Sequence, residues 1–221
     1  MQIELKNVYF EYEDSEALCD ISLCVEKGEC IGLEGDNGSG KSTLLKLLNG
    51  LIFPSSGTYL FDGTVINAKS MKDESFSKAF HSRLGYIFQN PDTQLFCSSV
   101  REEIEFGPRQ MGLSEEEIKR RADDVIEMMG LEKIRDRAPY HLSGGEKKKT
   151  AIACVLSMNP EVLMIDEPMN GLDRKSREWM MGFLKAWKAA GKTLLVTTHD
   201  EKLLNEITGR IITIGEDHRI L

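Results

Sequence analysis

Nine residues, Gly35-Asp36-Asn37-Gly38-Ser39-Gly40-Lys41-Ser42-Thr43, constrain this chain more than any other stretch. They fit G-x-x-x-x-G-K-[ST], a phosphate-cradling pattern. Glycines at 35, 38 and 40 allow a tight turn and let backbone N–H groups come close to an anion. Lys41 adds a point charge for the outer phosphates, and the Ser42 hydroxyl is the hard oxygen ligand that Mg²⁺ prefers. The flanks agree. Glu29–Leu33 reads as a short strand and Ser42–Asn49 as a helix, so bound phosphates would meet a helix N-terminus.

Before this loop, Gln2–Tyr12 and Cys19–Glu26 read as strands, with a turn at Asp14-Ser15-Glu16. After it, Gly50 caps the helix. Thr58–Phe61 and Thr64–Ile66 flank Asp62-Gly63, a strong hairpin signal, so these strands are expected to be antiparallel. Met71–His81 is expected to be helical and Leu84–Phe88 a buried strand. From Val100 to about Met158 the pattern is helical. One helix follows Ser114, with Ser114 and Glu117 as a capping box, and a second runs Lys147–Met158 behind a loop at Pro139–Glu146. Residues 90–158 therefore read as a helical subdomain inserted into an α/β core. Val162–Ile165 and Thr193–His199 are uninterrupted strands of the kind buried on both faces of a parallel sheet. Helices at Asp173–Ala190 and 201–208, with Asp200 as a cap, and a last strand Arg210–Ile214 complete a mostly parallel sheet covered by helices.

Charge and composition narrow the function. A net charge of −8 and a pI near 5.2 oppose a general nucleic-acid binder, which needs a basic field. No apolar run reaches the ~18 residues of a membrane span, and Met1–Lys6 does not open a signal peptide. The five cysteines form no C-x-x-C pair and read as reduced fillers of a cytosolic protein.

Several polar groups stand at predicted strand ends, the edge where open α/β sheets bind ligands. Asp166 is placed to steady Mg²⁺, and Glu167 to act as general base for a catalytic water. His199 is positioned to hydrogen-bond a γ-phosphate. The amide of Gln89 can reach Mg²⁺ or water. Leu142-Ser143-Gly144-Gly145-Glu146 offers a second set of anion donors at a helix start. A chain that already holds phosphate at 35–43 gains from such a loop if the loop reads the nucleotide of another copy. Two ATP molecules would then lie between two subunits.

The ordered set formed by the Lys41 loop, Gln89, Leu142–Glu146, Ile165-Asp166-Glu167, Gly171-Leu172-Asp173 and His199 resembles the nucleotide-binding subunits of ABC transporters over nearly the whole chain. Phe88–Phe96 and Val100–Pro108 are similar to the energy-coupling-factor importers of cobalt, nickel and vitamins. The resemblance implies a P-loop NTPase fold, with an antiparallel β subdomain, a mostly parallel core and an inserted helical subdomain. It implies ATP hydrolysis with Mg²⁺ and pairing as a homodimer or with a paralogous ATPase. It also implies transmembrane partner subunits and a place on the cytoplasmic face of the membrane. It further implies that Tyr12 stacks on adenine and that Asp173 lies at the dimer seam. Departures are Glu146 where Gln is usual, Lys147-Lys148-Lys149 where a mix with Arg is usual, and Met169 where Thr is common. The chain also ends at Leu221, where many relatives carry an extension that aids dimerisation. Related alternatives are the ATPase of another import or export system and a non-transport, ATP-switched binding module.

Overall fold

The structure, a computed structural model, describes every residue except Asp14. The expected turn at 14–16 therefore lies partly outside the described residues, and Ser15 and Glu16 already belong to a strand. That strand, β2 (Ser15–Val25), pairs antiparallel with β1 (Ile3–Tyr12). After β3 (Cys30–Glu34), β4 (Ser56–Phe61) pairs with the other side of β1 and with the short β5 (Thr64–Val65). The β4–β5 turn has φ of 46° at Asp62 and 75° at Gly63, the two left-handed positions a two-residue hairpin demands.

The second sheet is wholly parallel. β6 (Leu84–Ile87), β7 (Val162–Asp166), β8 (Thr193–Thr197) and β9 (Arg210–Thr213) join β3 in the order β6-β7-β8-β3-β9. Period-two alternation divides its side chains between two cores. Val162, Met164, Leu195, Ile31 and Leu33 face the antiparallel sheet, with α1 (Lys41–Leu48) between them. Leu44, Leu45, Leu47 and Leu48 of α1 are all fully buried, because apolar layers cover both of its sides. Leu163, Ile165, Leu194 and Val196 face the opposite way, toward α3 (Val100–Gln110), α4 (Glu115–Met129), α5 (Gly144–Leu156), α6 (Arg174–Ala189) and α7 (Glu201–Ile207). The remaining helix, α2 (Glu74–Arg83), leads into β6.

Three expectations need correction. The helix after the phosphate loop begins at Lys41 rather than Ser42. The helix predicted from Lys147 begins at Gly144, because Ser143 and Glu146 form a reciprocal capping box that starts it three residues earlier. The Ser114 box is only half made. Ser114 accepts from the Glu117 N–H, but the Glu117 carboxylate turns to Arg120 and Arg121. Two guanidinium partners outcompete one backbone donor.

Candidate nucleotide site

All five core strands run the same way, so their carboxyl ends share one edge. The segments leaving β3, β6, β7 and β8 there surround a cavity of about 450 Å³ lined by Asn37–Gly38, Gly40–Thr43, Gln89, Asp166, Glu167, Asn170 and His199. Residues separated by more than 160 positions thus meet, as the sequence predicts.

The Lys41 loop is shaped by close backbone approaches. At Gly40 (φ 110°) a Cβ would strike the Ala17 carbonyl, and at Gly35 (φ 143°) it would strike the carbonyl of Ile214. Only glycine fits either place. Lys41 is buried, and its ammonium donates to the carbonyls of Gly35 (2.7 Å) and Asp36 (2.8 Å). No side chain caps α1, and its first turn holds no acid. The Ser39 hydroxyl is buried without a partner. A donor-rich cradle short of acceptors suits a phosphate chain.

Across the cavity, one hydroxyl orders both acids. Thr197 donates to Asp166 Oδ1 at 2.5 Å and accepts from the Glu167 N–H at 2.9 Å. The second bond holds Glu167 at φ 47°, a left-handed conformation that a glutamate does not choose unaided. Burial pushes the Glu167 carboxyl above its ordinary range, while His199, with Nε2 at 3.4 Å from Oε1, pulls the other way. A carboxylate raised toward neutral pH is a stronger proton acceptor. Asp166 is buried and His199 half-exposed. Gln89 is exposed, two residues beyond the end of β6.

Lys148, on α5, stands behind this group. It is buried, and its ammonium donates to the carbonyls of Phe88 (3.3 Å) and Gln89 (3.1 Å). Burial pushes its pKa down to about 8, against the opposing pull of Asp166 and Glu167.

Ser143, Gly144, Gly145, Glu146 and Asp173 do not join this cavity. They line a second hollow of about 530 Å³, together with Lys149 and Trp179. Glu146 folds back on Ser143, accepting from its N–H (2.8 Å) and hydroxyl (2.7 Å), which holds the carboxyl below its ordinary value. The acid that stands where Gln is usual is thus occupied as a helix cap. Asp173 likewise caps α6, accepting from the Ser176 N–H at 2.8 Å. Tyr12 lies away from both hollows, half-exposed at the end of β1, with its ring edge-on to Phe10 at 4.8 Å.

In the stretches similar to the energy-coupling-factor importers, Val100 is core and Phe96 lies in the open. Phe96 stacks edge-on with Phe106 in a third hollow beside α2 and α3.

The sequence assigns no site role to Thr197 or Asn170, and it marks Lys148 only as a member of the Lys147–Lys149 run. Thr197 is legible only through the register that sets it opposite Asp166. A lysine run starting a helix reads as solvated until the packing buries its middle member.

A phosphate loop, an acid pair and a histidine at one edge of a parallel sheet define a nucleotide-hydrolase cassette. The ABC transporter family matches residues 18–170, and the chain belongs to that family. It is 43% identical over 218 residues to the nickel import ATP-binding protein LarO of Lactiplantibacillus plantarum, covering 99% of this chain and 90% of that one. It is also 43% identical over 203 residues to the energy-coupling factor transporter ATP-binding protein EcfA of Methanosphaera stadtmanae, covering 91% and 72%. Among solved structures, a dimeric post-hydrolysis state of the ATP-binding cassette MJ0796 bound to ADP and Pi superposes with a TM-score of 0.86. That pair is 30% identical, with 99% of this chain and 96% of that one covered.

Proposed function

We propose that this chain is the ATP-hydrolysing subunit of an importer of the energy-coupling-factor type, one that takes up a metal ion or vitamin through membrane partners. The observation that carries the proposal is the division of the phosphate-reading groups. Lys41 and Glu167 share one cavity, while Ser143 and Asp173 line another face. The two sets line separate hollows of a single chain, and two copies facing each other can bring them together over one nucleotide. The similarity to LarO and EcfA supports the transport role, and the dimeric MJ0796 cassette supports the pairing.

In this reading the backbone of residues 35–43 and Lys41 hold the phosphate chain, and Tyr12 stacks on adenine. Ser143, Gly144 and Gly145 of the opposite copy close over the γ-phosphate, with Glu146 shaping the turn and Asp173 at the seam. Glu167 takes a proton from water as the water oxygen attacks the γ-phosphorus. The bond to the β-phosphate oxygen breaks, giving ADP and phosphate. His199 holds the γ-phosphate, and Gln89 orients the water. Ser42, Gln89 and Asp166 would hold Mg²⁺, a hard cation that would supply positive charge against the phosphate chain. No group of three or more His, Cys, Asp or Glu stands ready among the described residues. That fits an ion taking its remaining ligands from phosphate and water.

No helix among the described residues is long and apolar enough to cross a membrane. The chain would act at the cytoplasmic face, with the inserted helices of residues 90–158 passing motion outward. A cytoplasmic helix of the membrane subunit would seat against Phe96 and Phe106. ATP drives closure because it contacts both copies, and so favours the closed state over the open one. The test is size-exclusion chromatography of Glu167→Gln with ATP. A dimer that Ser143→Arg abolishes, while ATP still binds, is expected. A strictly monomeric nucleotide-bound form, alone and with membrane partners, would overturn the proposal.

A further inference from the structure

Lys148 is a buried cation beside the site to which the proposed mechanism gives no work. It is 2% exposed, and the hydrogen bonds its ammonium makes are to two neutral carbonyls, those of Phe88 and Gln89. A buried cation so satisfied is a poor stabiliser, since an apolar side chain of similar volume is often neutral or better. Its location supplies the reason to keep it. Asp166 and Glu167 exert their charge on it from the cavity side. One position earlier, Lys147 bonds Asp92 at 2.6 Å, so two successive lysines of α5 grip both ends of the Gln89–Asp92 loop. Ser143 caps the same helix. About 7.5 Å of helix rise therefore separates Ser143 from the backbone of Lys148, whose ammonium holds Gln89.

We infer that Lys148 is a positioning residue for hydrolysis: fixed on α5, its ammonium sets where Gln89 stands against Asp166 and Glu167, and so ties the Ser143 turn to the chemistry of the same chain's own cavity. This rests on the role given to Gln89 above. A copy that docks its nucleotide on the Ser143 turn moves α5, and α5 carries the Gln89 loop with it through Lys148. Each site then reports its partner's occupancy through one helix.

The test compares Lys148→Met, Lys148→Arg, Gln89→Ala and the double variant Lys148→Met/Gln89→Ala in the full chain. Steady-state ATPase, ATP affinity and thermal melting are measured for each. Lys148→Met keeps the volume and removes the charge. It is expected to melt no lower than the parent and to keep KM for ATP within about twofold. Its kcat should fall about 10- to 100-fold, the cost of misplacing a catalytic group by about 1 Å. Lys148→Arg, which restores a cation and donors, recovers most of the loss. The double variant is no slower than Gln89→Ala alone. Three results would overturn the inference: an unchanged kcat in Lys148→Met, a lower melting temperature with a raised KM, or losses that multiply in the double variant. Full activity in Gln89→Ala would remove the reading of Gln89 and the inference together. Impaired Gln89→Ala beside fully active Lys148→Met would remove the inference alone.

Discussion

At the scale of single residues, the site depends on what burial does to a few charged groups. Glu167 sits mostly buried on a strained backbone, and its raised carboxyl is poised to accept a proton. Glu167→Gln keeps the shape and removes the base. Phosphate release should fall by about 10² to 10⁴, the ordinary worth of a general base, while equilibrium nucleotide binding stays intact. Near-parental hydrolysis would remove Glu167 from the role. Tyr12 is a separate matter. Its half-exposed ring rests edge-on against Phe10, so one face is open to a base. Tyr12→Ala should raise the Kd of a fluorescent ATP analogue at least about fivefold, since stacking on a base is worth about 1–3 kcal/mol. An unchanged Kd would return the ring to plain packing. The acids and the histidine were legible as residues because each follows an apolar strand. Lys148 was not, because a lysine flanked by lysines carries no local sign of burial.

Among elements, α5 matters most, because its first turn is the Ser143 turn itself. The reciprocal bonds between Ser143 and Glu146 begin the helix at Gly144 and fix the directions of its glycine N–H groups. Glu146→Ala removes half of the box and should lower stability by about 1 kcal/mol, read by urea unfolding. The pH dependence follows from the lowered carboxyl of Glu146. Its contribution is complete above the ordinary carboxylate value near 4.5. It is lost as pH falls through the lower folded value, and the parent and Glu146→Ala curves should converge there. A constant gap at all pH values would mean that the carboxylate does not carry the cap. Boundaries read from the sequence missed this helix start because Gly-Gly lowers helix propensity, whereas the cap bonds outweigh that cost. The Ser114 box failed for the converse reason: two arginines claimed its glutamate.

For the molecule as a whole, the antiparallel sheet must be anchored to the parallel one. Arg83, at the end of α2, makes that joint. Its guanidinium grips Glu161, just before β7, through Nε at 2.7 Å and Nη2 at 3.0 Å. It also pairs with Asp62 in the β4–β5 turn and lies 4.5 Å from the Phe61 ring centre. Arg83 holds the Glu161 carboxyl below its ordinary value. Both partners are about one-third exposed, so solvent screens the pair and the expected worth is about 1 kcal/mol. Glu161→Gln should therefore melt about 2–4 °C lower at neutral pH. The difference should vanish as acid protonates Glu161 in the parent. Equal melting at neutral pH would show that the joint rests on packing alone.

The sequence by itself determined whatever rests on neighbours along the chain. The glycine–lysine loop, the unbroken apolar strands, the Asp62-Gly63 hairpin and the Asp200 cap all follow from residues a few positions apart. Only the tertiary structure decided which strand ends meet. The order β6-β7-β8-β3 sets Gln89, Asp166, His199 and Lys41 around one cavity, and that order is not written in the spacing of the strands along the chain. Burial decided the rest, because whether a lysine is a solvated surface charge or a fixed cation depends on what packs over it.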